Sequence, residues 1–289
     1  MPASLACIAG EEVHRQWEAG HISGEKLGRR DTPFGHSEEV FLTRCDDQEF
    51  YLLPRHGAGM ARTAPWKVNY RANMYALKDL GVEAVLAWGP GAAITHNIAV
   101  GDLVVLGDVI DQTHLRAKTF FEDSPLGFLR QFPVFCTSLR RLSEQVLHEM
   151  KLVYHGTRTA AVCEGPRLET PAEVRMLAAV RAEVVTHTFV PEVFLAKELQ
   201  LCYAGICYVV DYAETGSRHR PFVGGDLFGG LAGESDAGRL AGAVGAMSHI
   251  AAAVAAAIER RAETCECHNT LAGHAKTYNL PEDWRAWFA

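Results

Sequence analysis

The stretch Val184–Glu198, V-V-T-H-T-F-V-P-E-V-F-L-A-K-E, decides how the chain is read. It begins as an apolar run, turns at Thr186-His187-Thr188 and restarts as a helix at Pro191. Proline suits the first turn of a helix, because the N–H it lacks would have no partner there. Glu192 complements the positive end of the helix dipole. A strand that ends in polar residues and feeds a helix rims the ligand crevice of many α/β proteins, and the same pattern also makes an ordinary strand–helix corner.

Working outward, the same alternation repeats. Before the stretch, Gly156–Cys163 reads as a strand that opens into Glu164–Glu173, and Pro171 starts a helix to about Arg181. After it, Leu201–Asp211 is one more strand. The glycine-rich segment at about 216–236 reads as a lid or loop, Arg239–Arg261 as the last long helix, and about 262–289 as a C-terminal tail. Towards the N-terminus, Leu5–Ile8 is a strand followed by a loop, and Glu39–Arg44 and Glu49–Pro54 are paired strands. Val68–Leu80 is a helix closed by Gly81, Val82–Trp88 and Asp102–Ile110 are strands, and Ser138–Lys151 is a helix. No internal repeat or linker interrupts the order. The expectation is one α/β domain over residues 1–289, with a twisted central sheet, largely parallel, covered by helices on both faces.

Composition narrows the function. The chain has 289 residues, 48% of them hydrophobic, which is ample for a buried core. A net charge of -7 and a pI near 6.0 argue against nucleic acid as a partner. Ala241–Ile258 is rich in alanine but carries Ser248 and His249 and runs into Glu259-Arg260-Arg261, so it reads as a helix packed on the core and not as a membrane span. The N-terminus lacks a basic signal-peptide start, so a cytoplasmic setting with reduced thiols is expected. Cys265-Glu266-Cys267-His268 could be a metal half-site, a strained disulfide or plain surface; two cysteines one residue apart make a poor tetrahedral zinc clip on their own.

Polar groups gather where strands end: Glu11 and Glu12, Arg55 and His56, Glu169, His187 and Thr188, and Asp211. Each alone has a plain structural reading, as a solvated loop, a core histidine, a helix N-terminal charge or a turn cap. Together they offer carboxylates for acid–base work in one crevice. Dinucleotide-binding, Walker, zincin and Gly-x-Ser-x-Gly motifs do not occur.

Several blocks in register give the chain a family resemblance. They are D-T-P-F-G (Asp31–Gly35), L-P-R-H-G (Leu53–Gly57), K-V-N-Y-R-A-N (Lys67–Asn73), A-L-K-D-L-G-V (Ala76–Val82), G-D-L-V (Gly101–Val104), E-G-P-R (Glu164–Arg167), V-P-E-V-F-L-A-K-E (Val190–Glu198) and Asp211-Tyr212. The chain resembles the trimeric nucleoside phosphorylases, most closely the 5'-methylthioadenosine phosphorylases. The resemblance implies a single-domain nucleoside phosphorylase/hydrolase fold with a twisted mixed sheet, a homotrimer, a small-molecule purine nucleoside as substrate, and no metal or organic cofactor. It also implies roles. Asp211 matches the aspartate at the purine N7/N6 edge, and Thr188 a threonine shared by sugar and phosphate. His187 stands where a methionine underlies the ribose, and Leu168 where an aromatic residue stacks on the base. Glu169 is similar to the glutamate of the 6-oxopurine branch, and Ala213 replaces a second base-side aspartate. The Cys265–Cys267 tail is similar to a Cys-x-Cys tail that forms a disulfide in some archaeal members.

The phosphate site departs most from the family. Its Gly-Gly-Thr/Ser-Gly loop is here Ala9-Gly10-Glu11-Glu12, a phosphate-holding threonine aligns with Trp88, and a serine with Ala92. A carboxylate beside a phosphate dianion costs roughly several kcal/mol in a crevice. Ile8–Val13, I-A-G-E-E-V, is similar instead to the opening of the methylthioadenosine/S-adenosylhomocysteine nucleosidases, where a glutamate activates water; Glu12 matches it across a short gap. The expected reaction is hydrolysis, with Glu12 as base assisted by Glu11 or His56, Asp211 serving the leaving base, and Arg55 paired with Glu11 or Glu12. The rivals are phosphorolysis, with phosphate as co-substrate held by Arg55, His56 and Thr188, and a non-catalytic nucleoside-binding protein. Phe128 stands near the expected 5' pocket.

Overall fold

Strand β1 (Leu5–Ala9) shows the logic of the sheet: Leu5, Cys7 and Ala9 face one core, and Ala6 and Ile8 face another. Period-two alternation between two buried faces is what a strand sandwiched by helices requires. The computed structural model describes residues 3–57, 63–214, 233–259 and 265–288. The further strands are β2 (Ser23–Gly28), β3 (Asp31–Thr32), β4 (Gly35–His36), β5 (Val40–Cys45), β6 (Gln48–Pro54), β7 (Ala84–Ala93), β8 (Leu103–Gln112), β9 (Tyr154–Cys163), β10 (Val184–Thr186) and β11 (Cys202–Tyr212). The helices are α1 (Glu11–Glu18), α2 (Tyr70–Asp79), α3 (Thr137–Glu149), α4 (Pro171–Ala179), α5 (Glu192–Glu198), α6 (Ala237–Gly245), α7 (Met247–Ile258) and α8 (Ala272–Tyr278).

Nine strands form one sheet in the order β10-β9-β8-β11-β7-β1-β6-β5-β2. The sheet is mixed rather than largely parallel. β6, β1, β7 and β11 run parallel, whereas β11 meets β8 antiparallel and β5 meets both β6 and β2 antiparallel. β10 pairs with β9 and also, antiparallel, with β7. Strands β7, β11, β8, β9 and β10 therefore close into a ring, while β1, β6, β5 and β2 extend from it as an open sheet.

Helices α3 and α7 cover one face through Leu139, Val146, Leu147, Ile250 and Val254; α2 and α5 cover the other through Met74, Leu77, Val193 and Leu195. The tail returns to the second core, where Trp284 and Phe288 pack on Tyr75 and Phe288 packs on Phe34 and Phe120.

Three local expectations change. The loop expected at Ala9–Val13 gives way at Glu11 to α1, because Val13 and Gln16 are both buried and Gln16 bonds the Val244 carbonyl (2.7 Å) and the Ser248 hydroxyl (2.8 Å). The expected last long helix is two helices that meet at Ala246, where Gly242 and Gly245 lower helix propensity, and α8 follows in the tail. Pro191 precedes α5 as its N-cap residue, so the helix begins one residue later than expected. Most of the expected glycine-rich lid, residues 215–232, lies outside the described residues.

Candidate active site

The parallel strands β6 and β1 end side by side next to the middle of β7, and deliver Arg55, Gly10 to Glu12, and Trp88-Gly89 to one corner. The Arg55 N–H donates to the Ala9 carbonyl at 2.9 Å, which fixes how the two chain segments leave the sheet. This is the crevice that parallel strand ends make in an open α/β sheet.

Arg55 does not pair with Glu11 or Glu12. It lies inside the protein at 1% exposure and makes a bidentate pair with Glu192 of α5, at 2.8 and 3.1 Å. Its remaining donors go to the carbonyls of Trp88 (2.7 Å) and Ile8 (3.3 Å). Tyr203 adds a hydroxyl bond to Glu192 at 2.7 Å. A buried guanidinium needs a partner of this geometry, and the first turn of α5 places one there. Arg55 therefore holds strand ends and α5 together instead of presenting itself to a ligand. Glu192, read from sequence only as a dipole charge, is its counter-ion.

Glu12 turns back on the start of its own helix. Its Oε1 accepts the Gly10 N–H at 3.2 Å, and a Cβ added to Gly10 would stand 2.6 Å from Glu12 Oε2, so only glycine admits this fold-back. Burial pushes the Glu12 carboxyl above its ordinary value; the Arg55 charge and the hydroxyl of Tyr208 act in the opposite direction. The side chain of Glu11 lies outside the described residues.

Trp88, expected to contact substrate, does not reach the crevice. It is fully buried, stacks on Tyr208 with ring centroids 5.4 Å apart, and belongs to the core under α3 and α7. It fills the corner from behind. Gly89 carries the opposite face: a Cβ there would lie 2.5 Å from Thr188 Cγ2 and 2.8 Å from its hydroxyl, so Thr188 sits directly on the β7 backbone. The Thr188 N–H donates to the Thr186 hydroxyl (3.2 Å), which donates to the Pro90 carbonyl (2.6 Å).

His56 is half-buried, and burial, then Arg55, pushes its pKa down. Its Nδ1 lies 2.8 Å from the Thr63 carbonyl. A carbonyl only accepts, so Nδ1 carries the proton and Nε2 is the acceptor of the neutral ring. His187 repeats the arrangement, with Nδ1 3.0 Å from the Cys163 carbonyl.

The structure thus brings Glu12, Arg55, His56, Gly89 and Thr188 to one corner, and sets His187 against the segment that follows β9. Arg116, which the sequence reading passed over, ties that segment down. Its guanidinium bonds Glu164 (2.9 Å) and the carbonyls of His187 (2.9 Å) and Val190 (2.6 Å). The signal for it was Glu164, an acid inside a motif block. Glu169 stands by Cys163 and lines a cavity of about 170 Å³ with Gln112, His114, Glu164 and Arg167. Asp211 lies at the far end of β11, where the register shifts between Val209 and Asp211 and Asp211 pairs with Ala92 of β7. Ala213 packs under α4 beside Val185 and Leu177.

Two expected contacts are not made within the chain. Phe128 is 84% exposed and Leu168 is 67% exposed. Both lie on connecting segments, which packing within one chain leaves uncovered.

The fold and the corner define a protein of the nucleoside-cleaving α/β class, and comparison with known proteins agrees. The model of the Phosphorylase superfamily matches residues 6–230, and the chain belongs to that family of enzymes. It is 36% identical over 212 residues to S-methyl-5'-thioadenosine phosphorylase of Saccharolobus solfataricus, covering 73% of this chain and 77% of the relative. It is 36% identical over 216 residues to a probable 6-oxopurine nucleoside phosphorylase of Thermococcus kodakarensis, covering 72% and 79%. Among solved structures, methylthioadenosine phosphorylase from Schistosoma mansoni in complex with adenine superposes with a TM-score of 0.78 at 26% identity, covering 97% of this chain and 99% of that one. A phosphorylase by definition takes phosphate as its second substrate, and that chemistry calls for no metal or organic cofactor.

Proposed function

We propose that this chain cleaves the N-glycosidic bond of a purine nucleoside, with the base leaving on the Asp211 side and the acceptor arriving at the Glu12–Thr188 corner. The single observation that supports the reading is the closure of β10 and β11 onto β7, with Thr188 packed on Gly89 and Asp211 paired with Ala92, in a chain that matches nucleoside phosphorylases over most of its length. Positive charge builds on the sugar as the bond breaks, and carboxylates near it favour that state. His187 and Thr188 hold the ribose, and Asp211 stabilises or protonates the departing base.

The acceptor divides two readings. Phosphate is the one the named relatives support, and phosphorolysis is therefore the first reading. Burial raises the Glu12 carboxyl, and its protonated form is a neutral donor that a phosphate dianion tolerates. Water is the second reading, favoured by one specific observation. A largely buried carboxylate occupies the corner where Arg55, already satisfied by Glu192 and two carbonyls, offers little to an anion. An ionised Glu12 would take the proton of an attacking water, which needs a base where phosphate does not.

Product analysis separates them. Adenosine, inosine, guanosine and methylthioadenosine would each be incubated in phosphate-free buffer and again with phosphate. Sugar 1-phosphate formed only with phosphate supports phosphorolysis; free base and free sugar without phosphate support hydrolysis. Nucleoside binding without release in either buffer would overturn both in favour of a non-catalytic binder. The homotrimer is part of the same proposal. The 84% exposed Phe128 and 79% exposed Phe132 form apolar surface that a second subunit would cover, and light scattering of the eluted protein measures it.

A further inference from the structure

The tail cysteines do not stand alone. Cys265 and Cys267 come to lie beside Cys136, the residue that caps α3, and Cys202, the first residue of β11. The four sulfur atoms all lie within 4.8 Å of one another, with Cys202 and Cys265 3.3 Å apart, and all four thiols are free. Zinc bound by four cysteines takes Zn–S distances of about 2.3 Å, which sets the sulfurs of a regular tetrahedron about 3.8 Å apart. The cluster is close to that size.

We propose that Cys136, Cys202, Cys265 and Cys267 form a structural zinc site that fastens the C-terminal tail to α3 and the central sheet. Sequence spacing supplies only half of it, because a Cys-x-Cys pair is a poor clip by itself; the fold supplies the other two ligands. On binding, Zn²⁺ replaces the thiol protons, which pass to solvent, and the four thiolates leave the site dianionic. Groups that offset that charge are already in place. The Leu139 N–H donates to Cys136 Sγ at 3.4 Å from the first turn of a 13-residue helix. Lys197 lines the same cavity as Cys136, Cys265 and Cys267, its ammonium donating to the Pro133 carbonyl at 2.6 Å. An entry path exists: a cavity of about 460 Å³ opens onto Cys136, Cys265 and Cys267, bordered by Lys197 and Thr270. The site is apart from the Glu12 corner and makes no demand on the acceptor.

The test uses the full chain, without an added histidine tag, purified under reducing conditions. Elemental analysis is expected to find about one zinc per chain, and the Cys265→Ser/Cys267→Ser variant about none. Cobalt(II) added to the metal-free wild-type chain is expected to give the intense ligand-field bands of a tetrahedral site, with charge-transfer intensity matching four thiolates. The cobalt titration needs no variant to fold. A Cys45→Ala control, which removes a ligand from the separate Cys45, Asp46 and His249 cluster, is expected to keep the signal. A wild-type chain with all thiols reduced that binds neither zinc nor cobalt would overturn the proposal. So would a thiol count two short from a disulfide among these cysteines, or a cobalt spectrum with a single thiolate.

Discussion

Replacing Glu12 by glutamine tests where the acceptor arrives, and the sign of the effect names the acceptor. The amide keeps the shape of the fold-back onto the Gly10 N–H, because its oxygen can accept the same 3.2 Å bond. Only the charge and the basicity are lost. If phosphate arrives at this corner, an ionised carboxylate about 5 Å away at an effective dielectric of about 20 repels it by about 3 kcal/mol per unit of phosphate charge. Removing it should raise kcat/KM for phosphate by about 10²-fold per unit of phosphate charge where Glu12 is ionised, at about 1.4 kcal/mol per tenfold. If water arrives instead, loss of the general base should lower the phosphate-independent rate by about 10²- to 10⁴-fold.

The pH profile gives the same answer independently. Burial raises the Glu12 carboxyl, so its ionisation falls closer to neutrality than that of an exposed glutamate. Phosphorolysis needs the neutral form, so its rate should fall as pH rises through that ionisation; hydrolysis needs the carboxylate, so its rate should rise. The glutamine variant should flatten whichever limb is present. The assay is base release by chromatography across pH, with and without phosphate. A variant that stays within about twofold of wild type at every pH in both buffers would refute the placement of Glu12 at the acceptor.

Other substitutions probe the frame. Glu192→Gln leaves the buried Arg55 without its counter-ion and should lower unfolding stability by about 3–5 kcal/mol in urea, whereas Arg55→Met/Glu192→Leu together should recover much of that. Glu198 is buried where Thr119 Oγ1 (2.6 Å) and the Phe120 N–H (2.7 Å) donate to it, yet burial pushes its pKa up to about 7 from 4.5. Its folded value exceeds the unfolded one, so its contribution is fully present below about pH 4.5 and is lost as pH rises through about 7, a swing of about 3 kcal/mol at most. Glu198→Gln should remove that slope in thermal melts taken from pH 5 to about 8. Gly89→Ala puts a methyl group 2.5 Å from Thr188 Cγ2 and should reduce turnover more than stability, read as kcat/KM against the melting temperature.

Much of the frame was legible because apolar periodicity is local. Val184–Thr186, the break at Thr186–Thr188 and the helix after Pro191 appear nearly where the residues suggested. The strand β2 was not, since Ser23–Gly28 is mostly exposed and shows no apolar alternation. Helix α1 was hidden because two glutamates after a glycine look like a loop until Val244 and Ser248, over two hundred residues away, satisfy Gln16. Within the site, the altered loop at Glu12 could be read, because a missing glycine-threonine cradle is a local fact. The partner of Arg55 could not: Glu192 is 137 residues distant, and only the fold decides which acid a buried guanidinium meets. The crowding of Thr188 on Gly89 was equally invisible, since it depends on how β10 closes onto β7.

The closure of β10 onto β7 divides the molecule into parts with different freedom to change. A hooped set of strands shares every displacement among its members, so Gly89 and Asp211 keep their spacing, and Thr188, just past β10, is held against Gly89. The acceptor loop belongs to β1, which leans on the hoop from outside through β7. On the proposed function, mutations there would alter what enters the corner without moving the groups assigned to the nucleoside. A lineage can therefore exchange the chemistry of the second substrate while inheriting the recognition of the first, and Ala9-Gly10-Glu11-Glu12 lies on that seam.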